Sequence, residues 1–201
     1  MFDFQKIFAY IRFLDEFRKI KRVMYNTGED RLENDTEHSY QLTMVAWYIM
    51  EVYKLNYNKD LVLQYCLVHD LVEVYAGDTY IYSQDKEHFE LKSQREMDAL
   101  LQIQKEFPEF PDLLRLMERY EHKSDKESLF VYALDKIIPV MNMYLDNGRT
   151  WKDVDLTKIV ITIEKLREVK DEKIRQSPEL YGMWMEFVAI LESRRSELFL
   201  E

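Results

Sequence analysis

Only one cysteine, Cys66, stands among the 201 residues. That excludes a disulfide framework and a cysteine-rich zinc site, and a lone thiol suits a reducing compartment. Glycine and proline are almost as scarce, four of each, too few for a turn-rich β-sandwich or a disordered chain. Positive charge is in deficit. Twenty-eight Lys and Arg against 38 Asp and Glu leave a net charge of -10, which argues against a surface built for a nucleic acid polymer. No apolar run approaches the roughly 20 residues that span a bilayer, so no membrane partner is expected. The opening segment MFDFQKIFAY carries Asp3 and Lys6 among its apolar residues, unlike a signal peptide. The expected setting is soluble and cytoplasmic.

What is present favours helix. Hydrophobic residues make up 47% of the chain, and Leu, Glu, Lys and Met, all good helix formers, are abundant. The length predicts one domain over 1–201, with no repeat or linker to divide it. Phe4, Ile7, Phe8, Ile11 and Leu14 form a helical apolar stripe in a helix of about 2–23. Residues 24–35 are polar and read as a loop. Asn34 with Glu37 is a capping-box pattern opening a helix to about 55, striped by His38, Leu42, Val45, Ala46, Ile49 and Val52. Asn58 caps a helix of about 59–75 that Gly77 ends. A charged helix of about 86–107 and one from Pro111 to about His122 follow. Ser124 with Glu127 opens a helix that Gly148 closes, and further helices cover about 155–176 and 178–199. No stretch reads as a strand, and the fold class is all-α.

Two of these helices are apolar nearly all round, as buried helices are. Leu61 to Val72 reads LVLQYCLVHDLV, nine of twelve apolar, and Leu129 to Met141 reads LFVYALDKIIPVM, ten of thirteen. Each carries a carboxylate, Asp70 or Asp135, in its middle. A buried carboxylate is costly unless it is paired or holds a metal. An ion pair with Lys136 is the plain solution. Against it, His69 and Asp70 are adjacent, Glu73 follows on the same side of the helix, and His38 lies on a core-facing stripe. One divalent ion held by His38, His69, Asp70 and Asp135 would satisfy them together. Pro139 removes the helical hydrogen bond to the Asp135 carbonyl and predicts a kink beside that carboxylate.

The ordered set His38, His69-Asp70 and Asp135 resembles the HD superfamily of metal-dependent phosphohydrolases, and within it the 5'-deoxynucleotidase branch. The matching segments are KRV (21–23), RLENDTEHS (31–39), HDLVEVYAGD (69–78) and EHKSDKESLFVYALDK (121–136). They span about residues 5–147, with about 150–201 as a helical extension. The resemblance implies a compact multi-helix HD-domain bundle with the metal between core helices. It implies His38, His69, Asp70 and Asp135 as ligands, Glu73 and Asp78 as further acidic site residues, and Arg22 as the phosphate-binding arginine. Arg31 is a second phosphate candidate. Val23 stands where the bacterial enzymes carry tryptophan, so a preference for deoxyribose is not carried over. A homodimer is implied by the resemblance alone.

The expected activity is release of phosphate from nucleoside 5'-monophosphates. Water attacks phosphorus in line, Glu73 orients it or shuttles a proton, and Arg22 grips phosphate oxygens. The mixed N/O donor set suits Mn, Co, Fe, Ni, Zn or Mg. Three other readings compete: a two-metal site recruiting His88 and His122, a silent nucleotide-sensing module, and hydrolysis of another phosphorylated metabolite.

Overall fold

The computed structural model describes residues 1–80, 82 and 91–200. His88 and the start of the predicted 86–107 helix lie outside them. Helix α1 spans Phe4–Phe17, capped by the Asp3 carboxylate, which accepts from the Gln5 and Lys6 amides. It stops six residues before the expected end. The chain then forms a hairpin, β1 Lys21–Tyr25 against antiparallel β2 Leu32–Asn34, with an irregular register between Lys21 and Tyr25. Gly28 turns it at φ 77°, a conformation that costs glycine little. The hairpin corrects both the long first helix and the polar loop. It is held partly by long-range bonds that local sequence cannot announce, such as the Tyr25 amide donating to Thr150 Oγ1 at 3.1 Å.

A second correction concerns which face of α1 is inside. Phe4, Ile7, Phe8, Ile11 and Leu14 are all exposed, while Phe13 and Phe17 are buried. Tyr10, Phe13 and Phe17 form a second apolar stripe at helical spacing, and Tyr10 and Phe13 pack edge-on against Phe107. Helix α1 has two apolar faces, and periodicity alone does not choose between them.

Helix α2, Asp35–Val52, starts at the expected Asn34–Glu37 capping box. Helix α3, Lys59–Val68, starts at Asn58 but ends before the expected boundary. From there the winding tightens. The amides of Leu71, Glu73, Val74 and Tyr75 donate to carbonyls three residues back, those of Val68, Asp70, Leu71 and Val72. Such winding eclipses side chains at i and i+3, so Asp70 and Glu73 fall on one side. A short helix α4, Glu73–Ala76, ends at Gly77, whose φ of 75° and ψ of 151° belong to glycine almost alone.

Helices α5 Lys92–Glu106 and α6 Pro111–Glu121 lead to the central helix α7, Lys126–Leu145. Its cap is Asp125 with Ser128 rather than Ser124 with Glu127. Glu127 is instead buried and accepts from the Asn58 amide at 2.9 Å, which ties α7 to the start of α3. Short helices α8 Arg149–Lys152 and α9 Val154–Thr157 precede α10, Ile163–Ile174. The expected 155–176 helix is broken because Lys158 turns left-handed and Thr162 caps anew. Helix α11, Pro178–Ser193, and short α12, Arg195–Leu198, end the fold.

Helix α7 packs against α2, α3, α10 and α11. Leu42, Val62, Tyr65, Cys66, Phe130 and Leu134 are wholly buried where α2, α3 and α7 meet. The charged residues of the next section emerge from this apolar junction. No helix among the described residues is long and apolar enough to cross a membrane.

Candidate metal centre

Three core elements each deliver part of one cluster. Helix α2 supplies His38 from its first turns, the tight turn after α3 supplies His69 and Asp70, and α7 supplies Asp135. One ligand atom from each of these four residues lies within 4.8 Å of all the others. His38, His69 and Asp135 are buried. His38 Nε2 stands 2.8 Å from Asp135 Oδ1, and His69 Nε2 stands 2.9 Å from Asp70 Oδ2 and 3.8 Å from Asp135 Oδ1. His69 Nδ1 lies 2.9 Å from the Cys66 carbonyl. That contact places the proton on Nδ1 and turns the Nε2 lone pair to the cluster, as the outer partners of ligating histidines do.

The ion pair that sequence offered as the plain alternative is also present. Lys136 Nζ sits 2.5 Å from Asp135 Oδ2. It uses one carboxylate oxygen and leaves Oδ1 to the histidines, so pairing and ligation are compatible. Pro139 lies inside the continuous helix α7. Beside the carbonyl it frees, the Lys136 carbonyl accepts from Lys170 Nζ at 2.8 Å.

Around the cluster stand acids that sequence reasoning did not single out. Glu33 and Asp35 are buried, and Asp35, Asp70 and Glu73 form a second close group. Arg22 bridges it, with Nη1 donating to Asp35 Oδ1 at 3.2 Å and to Asp70 Oδ2 at 3.0 Å. Arg22 Nε, Glu33 Oε2, Asp35 Oδ2, His38 Nδ1, His69 Nε2 and Glu73 Oε2 are all buried without a hydrogen bond. Arg22 Nε and Glu33 Oε2 pair at 3.5 Å and His69 Nε2 stands against Asp70; the other three lack a hydrogen-bond partner, and such orphans are rare in folded proteins and call for a ligand. Two imidazoles and a surplus of carboxylates are the donor chemistry of a divalent cation, so these residues fit a metal ion.

The protonation states that the cluster's own groups impose on one another are mixed. Burial, helped by Arg22, pushes the His38 imidazole down to about 4, so it is neutral at neutral pH and can ligate. For His69 burial lowers the pKa, but Asp70 and Asp135 outweigh it and hold the ring above its ordinary value. Burial raises Glu33 and Asp35 to about 7 each. Burial, then the neighbouring Asp70, holds Glu73 well above the usual carboxylate range. Burial opposes ionisation of Asp135 too, but Lys136 and His38 keep its pKa well below the ordinary one.

A cleft of about 100 Å³ adjoins the cluster. Its lining mixes the polar residues Arg22, Asp70, Glu73, Asp78, Asp135 and Lys136 with the apolar Val23, Met24, Pro139, Val140 and Leu166. Gly77 turns the chain so that Asp78 reaches this cleft. Arg31 does not line it. Its guanidinium is clamped by Glu37 at 2.7 and 2.9 Å and by Glu29 at 2.5 Å, and we give it no phosphate role. His122 caps α6 on the exposed surface. Two further groups escaped sequence reasoning. Glu33 and Asp35 alternate across the β2–α2 junction, where a two-residue period was the one available signal. Lys170 lies on the stripe Ile163, Leu166, Lys170 and Ile174, a signal hidden by the charge of that helix.

Fold and site together define a class: an all-α protein with a His/Asp cluster locked between its core helices. The HD domain model matches residues 14–180, and the chain belongs to the HD domain family. Similar curated proteins include the human 5'-deoxynucleotidase HDDC2, 30% identical over 136 residues, 66% of this chain and 64% of that protein. The mouse 5'-deoxynucleotidase HDDC2 is 31% identical over 134 residues, 65% of this chain and 64% of that one. The match therefore spans just under two thirds of these relatives. Among solved structures, one described as a predicted metal-dependent phosphohydrolase from Magnetospirillum magnetotacticum is 27% identical. It covers 100% of both chains with a TM-score of 0.76.

Proposed function

We propose that this chain is a metal-dependent phosphohydrolase releasing phosphate from nucleoside 5'-monophosphates, deoxynucleotides among them. The carrying observation is the four-residue cluster with its orphaned polar neighbours, set at a cleft lined by both polar and apolar residues. The HDDC2 relatives and the phosphohydrolase-like structure support the same reading. His38, His69, Asp70 and Asp135 would hold one divalent ion. Such an ion supplies positive charge that polarises a phosphoryl group and acidifies water. The second acidic group does not ask for another ion, because Arg22 already lies between Asp35 and Asp70.

The remaining roles follow from placement. Arg22 bonds to Asp35 and Asp70 through Nη1 and pairs with Glu33 through Nε at 3.5 Å, which leaves Nη2 for phosphate oxygens. Glu73, eclipsed with Asp70, orients the attacking water or moves its proton. Asp78 takes a sugar hydroxyl or orients water at the cleft. Val23, Val140 and Leu166 give the sugar and base an apolar wall. The water oxygen bonds to phosphorus, the ester P–O bond breaks, and the nucleoside leaves with a proton on its 5' oxygen.

A phosphate-release screen of ribo- and deoxynucleoside monophosphates across Mn, Co, Fe, Ni, Zn and Mg tests this. We expect turnover that chelation abolishes. Absence of release with every ion would overturn the activity and favour a nucleotide-sensing module. The buried, unpaired Cys66 supports a cytoplasmic setting, and the exposed α1 stripe supports a homodimer. Ile7→Glu should turn the dimer into monomer in light scattering if that face is the interface.

A further inference from the structure

In a chain with a net charge of -10, lysines gather on the open side of the metal cluster. A second cleft shares Asp70, Thr79, Lys92, Asp135 and Lys136 with the first, and adds Lys123 and Lys173 together with the carboxylates Glu96 and Glu121. Lys170 lines the first cleft. Two of these cations are already matched: Lys136 by Asp135, and Lys92 by Glu96 at 3.3 Å. Among the described residues no carboxylate lies within 4.0 Å of Lys123, Lys170 or Lys173. Lys123 Nζ donates to the Tyr120 carbonyl at 2.8 Å and stands 4.1 Å from the Tyr120 ring and 4.9 Å from the Tyr132 ring. Its left-handed backbone, φ 49°, is the ordinary close of helix α6, with the Ser124 amide donating to the Arg119 carbonyl.

With Asp70 and Asp135 given to a metal ion, the four lysines of this cleft would face two carboxylates among the described residues, Glu96 and Glu121. Burial, then Lys136, lowers both Lys170 and Lys173, to about 7 and about 8. Burial lowers Lys123 too, partly offset by Glu121. Partly buried ammonium groups that repel one another relax when a dianion sits among them. Arg22 stands with the acids of the first cleft and would engage the phosphoryl group that is hydrolysed. The lysines of the second cleft are left over from that task.

We propose that the basin of Lys92, Lys123, Lys136 and Lys173 is a second phosphate subsite, so that the preferred substrates are nucleotides carrying two phosphoryl groups. One would be hydrolysed at the metal cluster and the other only bound. The inference rests on the phosphohydrolase reading for which group is cleaved, but not for the binding itself. The shared chemistry is a second phosphoryl dianion, either on the 3' oxygen or in a 5'-diphosphate.

The experiment compares AMP, ADP and adenosine 3',5'-bisphosphate in two readouts. The first is kcat/KM for phosphate release by the metal-loaded chain. The second is calorimetric affinity on the Glu73→Gln chain, where slowed turnover preserves the ligand. We expect one of the two-phosphate nucleotides to exceed AMP by at least about tenfold in both, the scale of one or two charged hydrogen bonds. The one that does so reports where the second group lies. In Lys123→Met/Lys173→Met the ratio should fall to within about twofold, while Lys123→Arg/Lys173→Arg should keep most of it. AMP equal to or better than both others, or a ratio untouched in the methionine variant, overturns the subsite. If no nucleotide is turned over, the hydrolase reading fails, and the affinity ratio alone decides the subsite.

Discussion

Asp135 divides its carboxylate between opposite tasks, one oxygen toward His38 and His69 and the other on Lys136. Removing it strips the cluster of a donor and leaves the half-buried Lys136 without its partner. Asp135→Ala should therefore abolish both metal uptake and turnover; metal retained at full stoichiometry, measured by atomic emission, would remove Asp135 from the ligand set. Glu73 differs. It lies in the neighbouring group with Asp35 and Asp70, outside the four-residue set. Glu73→Gln keeps shape and polarity and should leave the metal bound while cutting kcat by about 10²-fold or more, the scale of acid–base assistance. An unchanged kcat would strip Glu73 of its role. His38, His69, Asp70 and Asp135 were legible in sequence because a charge on an apolar helix face is an anomaly with few solutions. Glu33 and Asp35 were not, because a polar residue in a polar segment is no anomaly until the fold buries it.

At the scale of elements, the turn after α3 does the positioning. Three-residue hydrogen bonding brings Glu73 over Asp70, and Gly77 then reverses the chain to carry Asp78 to the cleft. Nothing obstructs a methyl group at Gly77, so only backbone strain opposes one there. Gly77→Ala should cost about 1–3 kcal/mol in denaturant unfolding and weaken turnover through Asp78. Undiminished stability would mean that the turn relaxes. Helix α10 carries a second consequence. Lys170 titrates near 7 in the folded chain because burial disfavours its charge, with Lys136 adding to the effect; unfolded it titrates near 10.4. Between those values the unfolded chain binds more protons, so stability rises with pH. The contribution is complete above the unfolded value and lost as pH falls through the folded one. Lys170→Met removes that dependence, so its stability gain over the parent should shrink from pH 6.5 to 9.5 in thermal melts. A constant difference would contradict the buried-ammonium account. Sequence periodicity found most helices but misjudged their ends, since Asp125, Thr162 and the hairpin depend on partners far along the chain.

For the molecule as a whole, α7 touches α2, α3, α10 and α11, and the apolar core runs from Phe13 to Phe199 without division. One cooperative unfolding transition is expected from such continuity. The candidate metal site sits inside this junction rather than on its rim. An ion bound by α2, the turn after α3, and α7 would act as a cross-link among elements distant in sequence, and its binding free energy would add to folding. At an ion concentration of about 100 times the dissociation constant the gain is about 2.7 kcal/mol. For a chain of this size that raises Tm by roughly 5–11 °C. Differential scanning calorimetry of the chelator-stripped chain, with Mn or Co restored, should show that rise in a single peak. Asp135→Ala should melt at the same temperature with and without the ion. Because acidic surfaces also bind cations weakly, that variant is the decisive comparison. A shift as large in Asp135→Ala as in the parent would place the ion elsewhere and dissolve the link between the core junction and the chemistry.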